Sequence, residues 1–244
     1  MSILGQKMMG YRIAALIIAL IFLTGFVHAE AGVFFREDFL DLDNWEPLTF
    51  PKIQRHTAYA AVTEGGRSFL KAESRASASA IVLKKTFDVR SHPILRWRWK
   101  VDNVYRNANG TEKGGDDYPI RIYVTFEYDP RQADLMEKVR YAAAKALYGK
   151  YPPHSSLNYV WASDPRAGEV IVSPFTEKAR MIVLERGAAR VGQWVGETAD
   201  IVRDYRKAFG YDPPATASIA IMNDSDNTGE ASVSYVEFIE ILNP

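Results

Sequence analysis

One segment decides the fold: Tyr118-Pro119-Ile120-Arg121-Ile122-Tyr123-Val124-Thr125-Phe126-Glu127-Tyr128. Its even positions carry apolar or aromatic side chains, whereas most of its odd positions are polar. A period of two is typical of a β-strand with one buried and one wet face. The segment therefore predicts a strand that sends its even side chains into the core and turns Arg121, Tyr123 and Glu127 towards water.

A second segment, Ile94–Val101, alternates in the same way. Its apolar positions include Trp97 and Trp99, which are therefore predicted to lie in the core. The positions between them are basic: Arg96, Arg98 and Lys100.

If these two strands pair, their polar sides form one cationic surface, which we call the basic platform and define by Arg96, Arg98, Arg121 and Tyr123. An arginine fork matches a carboxylate or sulfate in two places, and an exposed ring supports the apolar face of a sugar. The alternative is that these basic residues pair with Glu127 and other carboxylates across the sheet.

Nine other short segments, bounded by turn residues, also have strand character: residues 33–39, 59–63, 68–72, 80–87, 158–162, 169–172, 179–185, 218–222 and 233–241. Two stretches favour helices, one from Asp129 to Gly149 with Leu135 and Val139 on its apolar face, and one over residues 197–209. No regular alternation of strand and helix occurs. The pattern predicts a mainly β fold, a two-sheet antiparallel sandwich of the jelly-roll or concanavalin type with two inserted helices.

Composition excludes several functional classes. The 244 residues include 30 basic and 30 acidic side chains and no cysteine. Balanced charge argues against a nucleic-acid binder, which usually carries a basic excess. The lack of cysteine excludes disulfides, thiolate zinc sites and cysteine nucleophiles.

Residues 1–29 have the features of an export signal. Lys7 and Arg12 precede a 15-residue apolar run over residues 13–27, and Ala29 ends a small-x-small cleavage pattern. The run is shorter than the roughly 20 residues that cross a bilayer. We expect cleavage after Ala29, no stable membrane insertion afterwards, a single sandwich domain over residues 30–244, and a periplasmic or secreted location.

An acidic turn leads into the deciding strand. It contains Gly114, Gly115, Asp116 and Asp117. Carboxylates at a strand entrance bind a cation or accept hydrogen bonds from sugar hydroxyls. The alternative is a tight turn in which the Asp side chains cap backbone N–H groups.

A second acidic turn spans residues 223–229. Asp224, Asp226 and Gly229 match the first half of a calcium loop, but position twelve is Tyr235 where such a loop needs Glu. A helical calcium hand is therefore rejected. A looser Ca²⁺ site built on Asp224, Asp226 and Asn227 remains an alternative to a polar turn between two strands.

Most catalytic signatures are missing from the sequence. It contains no H-E-x-x-H zinc motif, no G-x-S-x-G nucleophile elbow and no phosphate loop. A glycosidase needs only two carboxyl groups brought together by the fold, and Asp116, Asp117 and Glu127 are the first choices. A lyase would use Tyr123 as base or acid beside an arginine.

Three motifs together resemble an exported bacterial family, domain-of-unknown-function family 3047. They are the Asp116-Asp117 turn with Arg121 and Tyr123, residues 157–161 including Asn158, and residues 223–229. The resemblance runs from about Phe35 to Ile241. It implies no known activity; it implies that certain motif positions lie together: Asp116, Asp117, Asn158, Asp224, Asp226 and Asn227.

These observations lead to a functional hypothesis, an exported sandwich that binds a carbohydrate through one sheet face and the acidic turns at its rim. The ligand envisaged is an acidic envelope or extracellular glycan, bound by Arg96, Arg98, Asp116, Asp117, Arg121, Tyr123, Glu127 and Asn158. Two alternatives remain, a glycoside hydrolase or polysaccharide lyase on the same scaffold and a non-catalytic envelope assembly protein that binds another protein.

Overall fold

The alternating segments form strands in a structure built almost entirely from β-sheet. The computed structural model describes residues 32–131, 133–148 and 151–244. The strands within them are β1 Val33–Glu37, β2 Trp45–Leu48, β3 Ala58–Glu64, β4 Arg67–Arg75, β5 Ala78–Leu83, β6 Phe87–Asp88, β7 Ile94–Val101, β8 Arg121–Phe126, β9 Ser155–Ala162, β10 Val170–Val172, β11 Ala179–Arg186, β12 Val195–Asp200, β13 Thr216–Asp224 and β14 Ala231–Leu242. The helices are α1 Leu135–Tyr148 and α2 Ile201–Phe209.

These strands form two sheets. The six-stranded sheet has the order β12-β7-β14-β4-β3, with β1 also paired to β14. The eight-stranded sheet has the order β10-β11-β9-β8-β13-β5-β2, with β6 also paired to β13. Every pair is antiparallel except β9 with β11. The predicted fold class, a mainly β two-sheet sandwich with two inserted helices, is confirmed.

An aromatic layer joins the two sheets. Trp97 of β7 lies against Tyr159 of β9 with ring centroids 5.3 Å apart, and Trp99 lies against Trp161 at 6.1 Å. All four side chains are fully buried. Large rings bury much apolar area and pack well at a tilt, so this layer fixes the face on which each sheet meets the other. The core positions predicted for Trp97 and Trp99 are confirmed.

The predicted pairing of the two alternating strands is wrong. β7 lies between β12 and β14 in the six-stranded sheet, whereas β8 lies between β9 and β13 in the eight-stranded sheet. Both strands turn their apolar faces to the same core from opposite sides. Their polar faces therefore lie on opposite outer surfaces of the sandwich, and the basic platform does not form.

Helix α1 starts later than the sequence predicts. Asp134 caps it, accepting a 2.7 Å hydrogen bond from the backbone N–H of Glu137, whereas Asp129 lies outside the helix. The predicted apolar face is not buried, since Leu135 is 77% and Val139 61% exposed. The helix is instead held by Tyr141, whose ring stacks 3.7 Å from that of Tyr128.

Helix α2 is correctly predicted only from Ile201 onward. The preceding residues form β12, which pairs with β7 and turns Val195 and Ala199 inward. Asp200 is the N-cap, accepting from the N–H of Arg203 at 2.9 Å. Gly210 ends the helix at a φ of 83°, a left-handed conformation that glycine adopts without strain.

The sequence does not predict strands β2 and β12, and the strand predicted over residues 80–87 is divided between β5 and β6. All of the described elements belong to one compact unit. The predicted export signal over residues 1–29 lies outside the described residues. Among the described helices, none combines the length and the apolar character needed to cross a lipid bilayer.

Candidate functional site

The site lies on the outer face of the eight-stranded sheet. There β8 presents Arg121 and Tyr123, because its even residues face the core. Register places Tyr123 opposite Asn158 of β9, and Arg121 opposite Met222 of β13. Neighbouring strands thus bring polar and aromatic side chains together although they are far apart in sequence.

Loops surround this face and form, together with the strands, an open cavity of about 710 Å³. Residues 50–53 form one wall and Phe175 part of another, while the two acidic turns contribute Asp116, Asp226 and Asn227. Phe175 is 57% exposed. We call this space the sheet cavity; its volume lies in the range of ordinary small-ligand sites.

Arg121 lies at the floor of the sheet cavity and is almost fully buried. Its Nε donates to Asp224 Oδ1 at 2.9 Å, and a terminal nitrogen donates to the other oxygen of the same carboxylate. A weaker contact of 3.4 Å reaches Asp116, and the guanidinium carbon lies 4.5 Å from the centre of the Tyr118 ring. Burial lowers the pKa of Arg121, but the charge of Asp224 raises it well above the ordinary value. The guanidinium is therefore charged and already neutralised within the protein.

The carboxyl groups around Arg121 are crowded. Burial raises the pKa of Asp224 to about 7, against the attraction of Arg121. Burial also raises the pKa of Asp116, with a further contribution from the charges of Asp117 and Asp226. The pKa of Asp226 is raised by burial and then by Asp117. One arginine thus serves several acids, which leaves an excess of negative charge at this end of the cavity.

Asp117 holds the two acidic turns together. Its Oδ1 accepts from Asn227 Nδ2 at 3.0 Å and from the Asn227 backbone N–H at 3.3 Å, and its Oδ2 accepts from the Thr228 N–H at 2.6 Å. Asp117 is 1% exposed. Its oxygens cap backbone groups, as the turn alternative holds, although those groups belong to the other turn.

The predicted calcium ligands come together only in part. Oxygens of Asp117, Asp224 and Asp226 lie within 4.8 Å of one another. Asp224 is bound in two places by Arg121, Asp117 is occupied by the N–H groups of the other turn, and Asn227 turns its amide nitrogen to Asp117.

Gly229 also has a simpler explanation than a calcium loop. It adopts a φ of 74°, and its N–H donates to the Ser225 carbonyl at 3.0 Å, which closes an ordinary turn. A hard cation needs several free oxygens. The donor set present here does not fit Ca²⁺.

Three predicted binding residues lie elsewhere. Arg96 and Arg98 are on the outer face of the six-stranded sheet, where they pair with Glu240 at 2.5 Å and Glu237 at 2.7 Å. These arginines therefore form cross-strand ion pairs, as the alternative to the basic platform holds. Their partners are carboxylates of β14 and not Glu127. Glu127 is exposed beyond the far end of β8, six residues from Arg121, or about 20 Å along an extended strand.

Asn158 is the polar residue of the sheet cavity that the protein leaves unsatisfied. It is 2% exposed, its Nδ2 lies 3.7 Å from the sulfur of Met181, and its Oδ1 is buried with no hydrogen-bond partner among the described residues. A buried acceptor without a donor costs about 1–3 kcal/mol. Such a group in a native structure calls for an explanation, such as a functional role, an ordered water or an ion.

The sequence did not indicate the walls of the sheet cavity. Phe50, Lys52 and Phe175 lie outside the strands and helices, where no periodic pattern marks a role. The one available signal is an aromatic residue isolated between turn residues, as at Pro174-Phe175-Thr176.

Structural comparisons give distant likenesses only. The enzymatically active domain of bacteriophage CBA120 tailspike protein 4 is 9% identical, with a TM-score of 0.39 over 84% of this chain, which spans about 20% of that protein's length. The family 30 carbohydrate-binding module of a Clostridium thermocellum cellulosomal cellulase is 13% identical, with a TM-score of 0.38 over 81% of this chain and 93% of the module. The family GH12 endoglucanase 3 of Trichoderma harzianum is 8% identical, with a TM-score of 0.40 over 83% and 96%. At such scores these likenesses carry no inference about function.

Comparison with curated proteins gave no match. The model of one protein family matches residues 43–240, which is most of the chain and includes every residue of the sheet cavity. The family has the description "Protein of unknown function (DUF3047)", and this chain belongs to it.

Proposed function

We propose that this protein is an exported carbohydrate-binding protein and that the sheet cavity is its sugar site. The observation that carries the proposal is the buried, unpartnered Oδ1 of Asn158 in a cavity that also has aromatic walls. A sugar offers apolar C–H faces and a ring of hydroxyl groups. It therefore suits a cavity with a few convergent polar groups among apolar ones.

The aromatic side chains supply the apolar part of the site. Phe175 is more than half exposed, and Phe50 and Tyr123 are partly buried. The Lys113 ammonium lies 5.7 Å from the centre of the Phe175 ring, and the exposed part of that ring is accessible to a ligand. A pyranose ring placed against it hides apolar surface on both partners.

The polar side chains supply orientation. Asn158 Oδ1 and the carboxylates of Asp116 and Asp226 accept hydrogen bonds, whereas Lys52 donates from the rim. Sugar hydroxyls act as both donors and acceptors. Buried groups of this kind distinguish ligands strongly, because a ligand without the matching group leaves them unpaired.

The acidic glycan of the sequence hypothesis is not part of this proposal. That choice rested on the basic platform, which is divided between two sheets. Arg121, the remaining cation on this face of β8, is paired with Asp224. A uronate entering the cavity would meet more carboxylates than free cations.

Export is the second part of the proposal and rests on the sequence of residues 1–29. We expect the mature chain to begin at Glu30. Expression in a Gram-negative host, followed by fractionation and N-terminal sequencing, checks this. A cytoplasmic product that keeps its first 29 residues would contradict it.

The sugar site is tested by calorimetry with β-1,4-linked hexasaccharides of glucose, N-acetylglucosamine and glucosamine. Asn158→Ala and Phe175→Ala are each expected to weaken binding at least about tenfold, since each removes roughly one strong contact. Arg96→Ala on the opposite outer surface is the matched control and leaves affinity unchanged. Equal affinity for all four proteins would place the sugar elsewhere.

An enzyme on the same scaffold is favoured by one observation, the raised pKa values of Asp116 and Asp226 in the sheet cavity. A glycosidase needs one carboxyl group that keeps its proton and one that does not. Release of new reducing ends, lost in Asp116→Asn or Asp226→Asn, would support hydrolysis.

In the lyase alternative Tyr123 acts as base or acid, and its raised pKa disfavours the base role alone. Burial raises the pKa of Tyr123 far above its usual range, so the phenol stays protonated. Unsaturated sugar ends that disappear in Tyr123→Phe would support the lyase alternative.

A further inference from the structure

Resting on the proposed function, we propose that the sheet cavity selects sugars that carry a free amino group, a glucosamine-type unit rather than a uronate or a fully neutral one. Three features of the cavity support this specificity: its negative charge, the buried acceptor that it leaves unsatisfied, and the poor fit of its oxygens to a bare metal ion.

The charge around the cavity is negative. Its wall contains Asp116, Asp224 and Asp226, with Asp117 directly behind them. The cations are Arg121 and Lys52. Arg121 is held in two places by Asp224, and exposed Lys52 is screened by water. Asp116 and Asp226 therefore dominate the field that a ligand meets.

A second observation, independent of the carboxylates, also favours a ligand that donates hydrogen bonds: the buried amide oxygen of Asn158. Asn158 is 2% exposed and lines the cavity, and no donor from the described part of the chain reaches its amide oxygen. A carboxylate is also acceptor-only when ionised. Among the described residues, the buried side-chain atom of the cavity that lacks a partner is thus an acceptor, and an ammonium group offers three donors where a hydroxyl offers one.

A bare metal ion does not meet the same need. The oxygens of Asp117 and Asp224 already accept from Asn227, Thr228 and Arg121. Asp226 is partly exposed, and among the described residues it accepts only from its own backbone N–H. A ligand that needs one carboxylate and one amide oxygen, rather than six oxygens, fits what is free.

The experiment compares matched oligosaccharides by calorimetry on the full-length mature protein. The probes are β-1,4-linked hexamers of glucosamine, N-acetylglucosamine and glucose, in a buffer that keeps the amine protonated. We expect the glucosamine hexamer to bind at least about tenfold more tightly than its acetylated counterpart, the ratio that one hydrogen bond between charged groups produces. Added salt should reduce that ratio.

Two variants locate the effect. Asp226→Asn is expected to bring the ratio of the two affinities close to one. Glu127→Gln, which removes an exposed carboxylate at the far end of β8, keeps the ratio of the natural protein. If Asp226→Asn does not fold, Asp116→Asn and the salt dependence of the natural protein provide the same test.

The outcomes separate this inference from the proposed function. Equal or weaker binding of the glucosamine hexamer, or a ratio unchanged in Asp226→Asn, overturns the inference and leaves the sugar site standing. Binding of none of the three hexamers overturns both. Tight binding of a lysine-rich peptide that no hexamer displaces would show that Asp116 and Asp226 bind a protein partner, and it would also overturn the inference.

Discussion

At the scale of single residues, the pair formed by Arg121 and Asp224 explains why a polar strand position is buried. Alternation predicts that Arg121 faces water, and its side chain does lie on the outer face of β8. The acidic turns nevertheless cover it, so that it is only 4% exposed. A buried charge is tolerated when a partner and further hydrogen bonds compensate its lost hydration.

Arg121→Met is expected to lower the free energy of unfolding by about 3–5 kcal/mol, because it leaves Asp224 buried without its partner. Urea unfolding monitored by tryptophan fluorescence measures this loss. Arg206→Ala, which breaks an exposed pair with Asp212, should cost less than about 1 kcal/mol. Adding Asp224→Leu to Arg121→Met should restore part of the stability. A loss no larger than that of the control would contradict the pairing.

Glu197 predicts a pH dependence of stability. It lies on β12 with one carboxylate oxygen buried. Burial and then the charge of Glu185 raise its pKa from 4.5 to about 7. Between these two pH values the folded protein keeps a proton that the unfolded chain has lost, so stability falls as the pH rises through that window.

Replacing this carboxyl group should flatten the curve. Glu197→Gln is expected to lose less stability than the natural protein between about pH 5 and pH 8. Urea midpoints at a series of pH values measure the difference, with Glu127→Gln as the exposed control. A natural protein whose stability rises over that range, with the same slope in Glu197→Gln, would show that Glu197 is not desolvated.

At the scale of elements, the turn between β13 and β14 depends on a residue from another turn. Asp117 accepts three hydrogen bonds from Asn227 and Thr228. These two turns carry Asp116 and Asp226, which line the sheet cavity. Asp117 therefore positions both carboxylates although it does not itself line the cavity.

Asp117→Ala should therefore loosen the turn before it unfolds the sandwich. Hydrogen exchange of the backbone amides of Asn227 and Thr228 is expected to accelerate, with a loss of about 1–3 kcal/mol in stability. Amides of β7 in the six-stranded sheet serve as the internal reference. Unchanged protection at residues 227 and 228 would show that the hydrogen bonds to Asp117 contribute little.

The sequence predicts well which face of a strand is buried, and it predicts poorly which strands pair with one another. Alternation correctly places Trp97, Trp99 and Ile122 in the core, because each depends only on its own strand. It does not specify which strand lies beside which, since that depends on contacts between distant parts of the chain. The sequence-based prediction therefore puts Arg96 and Arg121 on one surface, although they lie on opposite outer surfaces of the sandwich.

The same contrast between local sequence pattern and contacts of distant segments applies to the candidate site. The sequence marks the acidic turns as polar motifs and marks Asn158 through the family resemblance, and these residues do line or support one cavity. Phe50 and Phe175 belong to loops without a period. Only the folded chain brings those loops over the outer face of the eight-stranded sheet.

At the scale of the whole molecule, the acidic turns organise a cavity rather than a calcium site. The melting temperature should therefore stay unchanged in about millimolar Ca²⁺ and in chelator, because only a ligand of the folded state raises stability. Differential scanning calorimetry measures this directly. A Ca²⁺-dependent rise that disappears in Asp226→Asn would contradict this account and support the calcium alternative from the sequence.

The central claim is that a sugar occupies the sheet cavity. Titration of isotope-labelled protein with the three hexasaccharides, followed through the side-chain amide signals of its asparagines, tests it most directly. We predict that the Asn158 and Asn227 signals shift together and saturate with one affinity, while Asn243, remote from the cavity, stays fixed. Shifts confined to the outer face of the six-stranded sheet, or none at any concentration, would contradict the claim.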